Sequence, residues 1–173
     1  MRRSLILFAT LLLLWAIVAE LNHAVSSWHL WIFAGGLFVC YPALTQPLRR
    51  GLALALAAGF VCDANSPVAL GTHVLLFAAA HVVVYRLRDR VPREDNVAAT
   101  LLVLFVNFGL FLGLTFAQAR HSGLAGALWP RLLSDLVFSQ VLIAFVTPWF
   151  FALQARALAL SDTLAVRRTR HAA

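Results

Sequence analysis

The chain has 173 residues, 62% of them hydrophobic and only 12% charged, and a mean hydropathy of +0.85. One domain by length, it is too apolar for a water-soluble fold and reads as a polytopic membrane protein. Every basic residue is arginine, and the net charge of +7 comes from clusters set between apolar runs; that placement fits an arginine skirt against anionic lipid rather than a nucleic-acid surface.

Met1-Arg2-Arg3-Ser4 followed by the apolar run Leu5–Ala19 has the outline of a signal peptide. The residues that follow, Glu20-Leu21-Asn22-His23, do not resemble a small-residue cleavage site, so the run is expected to stay as a first helix. Further apolar runs cover Trp28–Leu44, Leu52–Val61 with an extension to Ser66, Val68–Tyr85, Val97–Gln118 and Leu132–Leu153. A helix needs about 20 residues to cross ~30 Å of hydrocarbon. The third run reaches that length only by including Asp63 and its neighbours, so six spans is the expectation and five, with that run re-entrant or fused to the fourth, the competing count.

Charge orients the runs. If both termini are cytoplasmic, the inside segments hold Arg2, Arg3, Arg49, Arg50, Arg86, Arg88, Arg90, Arg93, Arg156, Arg167, Arg168 and Arg170, twelve of the 14 basic residues. Only Arg120 and Arg131 fall outside. Such asymmetry satisfies the positive-inside rule for an even number of spans. The expected class is an all-α, six-helix transmembrane bundle over residues 1–155, with a basic cytoplasmic tail over 156–173.

The least lipid-like stretch is Gly59-Phe-Val-Cys-Asp63-Ala-Asn65-Ser66-Pro67-Val-Ala-Leu-Gly71. An Asp at the centre of a membrane helix costs roughly 2.5–3.5 kcal/mol, so Asp63 is expected to find a partner at the apex of a helical hairpin, with Asn65 and Ser66 beside it. Pro67 lacks an N–H and should turn the chain back. Small residues at Ala53, Ala55, Ala57 and Gly59, and at Ala78 to Ala80, would let the hairpin helices approach closely and place the hairpin centrally in the bundle. On the fifth run Asn107, Phe111, Thr115 and Gln118 share a polar face, and Gly109 and Gly113 form a small-xxx-small match. On the sixth, Arg131 and Asp135 stand four apart and can pair, Ser139 extends their face, and Thr147-Pro148 should bend the helix. Cys40 and Cys62 have neither disulfide nor metal spacing and read as small buried residues.

No enzyme signature is present: there is no Gly-x-Ser-x-Gly, His-Glu-x-x-His, Walker loop or Gly-x-Gly-x-x-Gly. His73 and His81 lie eight apart on one run, about 12 Å along a helix, too far to share a metal. No catalytic residue, metal or cofactor is assigned, although His73, close to Asp63 and Asn65, could join a proton relay.

The six-run, arginine-inside plan and the segment Gly59-x-x-x-Asp63…Pro67…Gly71-Thr-His73-x-Leu75-Leu76-Phe77 resemble the bacterial rod-shape-determining protein MreD family. The resemblance covers most of the chain. It implies a non-enzymatic inner-membrane subunit of the cell-elongation and peptidoglycan-synthesis machinery, working with an MreC-like scaffold protein, an MreB-like filament protein and peptidoglycan synthases. The family is similar in fold to the substrate-binding subunits of energy-coupling-factor transporters, so a small-molecule-binding transporter subunit is the alternative. The interaction candidates are Gly59, Asp63, Asn65, Pro67, Gly71, His73, Asn107, Gln118, Arg131 and Asp135.

Overall fold

A computed structural model of the chain describes the backbone of residues 2–91, 96–122 and 129–170, with side chains for residues 3–91, 96–119 and 130–161. Arg93 and the side chains of Arg2, Arg120, Arg167, Arg168 and Arg170 lie outside the described residues. Six α-helices and no strand occur among the described residues: α1 (Arg2–Val25), α2 (Gly35–Thr45), α3 (Leu48–Ala64), α4 (Thr72–Leu87), α5 (Asn96–Ser122) and α6 (Trp129–Arg170). The protein is an all-α, membrane-type bundle.

Three helical stretches, Arg3–Trp28, Asn96–Ala119 and Pro130–Ser161, are long and apolar enough to cross a membrane. With 42 residues, α6 is about 63 Å long at 1.5 Å per residue, roughly twice the hydrocarbon thickness, and it continues as one helix through Pro148 and past residue 155. Large apolar side chains point out of the bundle, among them Phe105, Phe145 and Trp149, each more than 70% exposed. In water such a surface would be an aggregation hazard; against lipid it costs nothing.

The second apolar run departs from expectation. Trp28–Leu44 is not one helix: Ser26–Trp28 is a single 3₁₀ turn, His29 adopts a left-handed conformation at φ 56°, and regular helix begins only at Gly35. The 11-residue α2 that follows is too short to span a membrane alone, yet it is the most enclosed element. Nine of its residues are buried, and it packs against α3, α4, α5 and α6. The centre of the bundle is therefore this half-helix, while the α3–α4 hairpin forms one wall around it.

The hairpin itself is tight. A Cβ on Gly59 would stand 2.7 Å from Val74 Cα and 2.8 Å from Val74 N, so only glycine allows the α3 and α4 backbones to meet at this height. On α5 the two glycines of the small-xxx-small match differ. Gly113 faces Leu76, but nothing stands within 4 Å of Gly109, so the pair marks no close helix crossing.

Candidate functional site

Two polar clamps and the cavity between them occupy the end of the bundle that carries the α3–α4 turn. The first clamp is Asp63, in the last turn of α3. Its Oδ1 accepts the His73 backbone N–H at 2.9 Å and lies 2.8 Å from His73 Nδ1; its Oδ2 accepts from Gly71 N–H at 2.9 Å and Val74 N–H at 3.3 Å. These amides open α4, whose own N-cap residue, Gly71, has no side chain and sits at φ 93°. The first N–H groups of a helix need outside acceptors and carry the positive end of its dipole. Asp63 supplies that acceptor from the preceding helix, so one buried carboxylate both caps α4 and closes the hairpin. Because this carboxylate accepts at every other contact, the imidazole donates from Nδ1.

Asn65 and Ser66 are not its side-chain partners, contrary to the sequence expectation. Asn65 Nδ2 turns back to the Val61 carbonyl at 2.9 Å, and the buried Ser66 Oγ has no hydrogen-bond partner. The reason is geometric: Asp63 faces α4, whereas Asn65 and Ser66 already belong to the turn that leads away from it.

The second clamp holds the non-helical lead into α2. Ile32 is gripped on both sides by the Asn22 amide of α1: Oδ1 accepts its N–H at 2.7 Å, and Nδ2 donates to its carbonyl at 2.9 Å. Asp135 Oδ1 accepts the Trp31 N–H at 2.9 Å, Ser139 Oγ accepts the Phe33 N–H at 2.9 Å, and Asn107 Oδ1 accepts the Gly36 N–H at 3.0 Å. Irregular backbone is tolerated at membrane depth only where protein groups satisfy it. Three helices lend side chains for that purpose. The expected Arg131–Asp135 pair makes no direct salt bridge: Asp135 is buried and accepts from Trp31, and the exposed Arg131 acts on its carboxylate only through space. Of the four holders, Asn22 and Ser139 were absent from the sequence candidates: an Asn beside Glu20 and His23 at the end of an apolar run looks like an ordinary helix boundary, and Ser139 read only as an extension of the Arg131–Asp135 face.

Between the clamps lies a cavity of about 540 Å³. Its floor is aromatic, with Trp31 stacked on Phe33 at 5.6 Å between ring centroids and Phe111 at 6.3 Å from Phe33. Asn65, Pro67, Gln118 and Arg131 stand at its exposed rim, and His73 and Asp135 line its interior. Gly59 and Gly71 shape the hairpin wall without lining it, and Asn107 lies beneath the floor, fully buried. His81, one of the two histidines on α4, sits apart over Gly51 and stacks on Tyr85. Among the described residues no group of three or more His, Cys, Asp or Glu stands close enough to hold a metal ion.

A family model described as rod shape-determining protein MreD matches residues 1–156. No curated protein and no solved structure matches the chain, so a likeness to transporter substrate-binding subunits rests on the family resemblance alone.

Proposed function

The chain belongs to the MreD family of rod shape-determining proteins, and from that membership we propose that it is a non-enzymatic inner-membrane subunit of the bacterial cell-elongation complex. It acts by contact with an MreC-like scaffold protein, an MreB-like filament protein and peptidoglycan synthases. The family match carries this reading. The exposed apolar faces of α5 and α6 support it, since they offer continuous surface to another membrane helix. In a rod-shaped host, depletion of the chain should give rounded cells that a wild-type copy restores. Cells that keep their width but fail to take up a nutrient would instead promote the transporter reading, which the cavity favours.

The proposed arrangement has six crossings, both termini in the cytoplasm, and residues 156–173 as a basic cytoplasmic tail. Reporters placed after Ala173 and within the Arg86–Asn96 loop should both read as cytoplasmic. Opposite locations for the two would remove the six-span topology. In this orientation the cavity opens away from the cytoplasm and the filament protein meets the arginine-rich ends.

A further inference from the structure

The cavity has a chemical polarity of its own. At about 540 Å³ it falls in the range of roughly 300–1,000 Å³ typical of small-molecule sites. It has several polar residues in its wall; the buried Ser66 hydroxyl is left without a partner, but most of the other groups are taken up by the protein. Both ends of the Asn22 amide hold Ile32, His73 Nδ1 faces Asp63, Asp135 Oδ1 holds the Trp31 N–H, Thr115 Oγ1 donates to the Phe111 carbonyl, and Asn65 Nδ2 donates to that of Val61. What faces the space is chiefly aromatic and aliphatic, from Trp15 and Phe38 through Phe77 to Leu114. A small polar solute would give up its water here and find few free groups in exchange. At the rim, by contrast, stands the exposed Arg131, whose neighbour Asp135 is turned inward.

We propose that this cavity binds one chain of an anionic amphiphile, with the hydrocarbon over the Trp31–Phe33–Phe111 floor and the anionic head at Arg131. An apolar chain needs no hydrogen bonds from the wall, and a guanidinium forms charge-assisted, bidentate bonds with carboxylate or phosphate. The inference stands on the cavity and does not depend on the elongation partners proposed above.

The test uses the full chain purified in a neutral detergent, incubated with dibromostearate or with its uncharged methyl ester, and then detergent-exchanged. The bromine mass identifies retained probe in native mass spectrometry. Wild type should retain a single dibromostearate per chain. Ala19→Phe, which extends a ring from the exposed side of α1 into the cavity, should retain none, and Thr115→Phe fills the same space from α5 as an independent check in a protein of unchanged helicity. Arg131→Gln should weaken retention of the acid by about two- to fivefold, the scale of an exposed charge pair, and leave the ester unaffected. Equal retention in wild type and both cavity-filling variants would place the probe in the surrounding detergent belt and overturn the site. Equal loss of acid and ester in Arg131→Gln would overturn the assignment of the anionic head.

Discussion

Replacing Asp63 by leucine should lower the stability of the folded protein by about 3–5 kcal/mol, the scale of removing one member of a buried ion pair, because this one carboxylate serves several donors at once. The carboxylate is the acceptor for the Gly71, His73 and Val74 amides and for His73 Nδ1. Leucine fills part of the volume but leaves four donors without their acceptor, the two of His73 buried and those of Gly71 and Val74 part-buried, and each buried donor without a partner costs about 1–3 kcal/mol before relaxation. Against a total stability of about 5–15 kcal/mol, that loss is large enough to deplete folded protein from the membrane. Asp63→Asn should be milder, because the amide oxygen still accepts from α4 while the amide nitrogen meets a second donor. Thermal denaturation of a fluorescently tagged chain, followed by size exclusion in detergent, orders the three proteins as wild type, Asp63→Asn, Asp63→Leu. Coincident melting of all three would show that Asp63 caps nothing of consequence.

Asn22→Leu should give the second largest loss, about 1–3 kcal/mol for each of the two Ile32 groups it strands. A substitution on α1 would then disorganise the entry to α2. Asn22→Asp separates the two bonds: it keeps an acceptor for the Ile32 N–H at 2.7 Å and sets a carboxylate oxygen against the Ile32 carbonyl. It should therefore be no better than leucine, whereas a variant nearly as stable as wild type would show that the N–H bond alone carries the stability. The same denaturation assay distinguishes these outcomes, and limited proteolysis at residues 29–34 locates the disorder.

Hydropathy was enough to reveal α1, α5 and α6, because a long apolar run of helix formers in lipid has one way to satisfy its backbone. It also placed the α3–α4 turn, where Pro67 and the polar residues around it stop a helix. Asp63 was legible as a buried group in need of a partner, since an intramembrane carboxylate is costly without one. His73 was named as a neighbour that could share a proton with it, but the backbone amides it caps were not legible, because the distance from Asp63 to them is set by the Gly59 contact with Val74 rather than by any local pattern. The Arg131–Asp135 pair shows the opposite case: correct helical spacing without direct contact, because a backbone N–H from elsewhere takes the same carboxylate.

By itself the sequence determined the class, the helix-forming runs, the arginine asymmetry and the family, all of which follow from composition and from order along the chain. Only the tertiary structure decided that Trp28–Leu44 breaks into an irregular segment and a buried half-helix. Hydropathy registers that Trp31, Ile32 and Phe33 are apolar and is silent on who holds their amides. Those acceptors lie as near as Asn22 and as far as Asp135 and Ser139, 104 and 106 positions away from Trp31 and Phe33. The break is stable because folding brings these side chains to it, and the cavity lies against an irregular segment where a continuous helix would have stood.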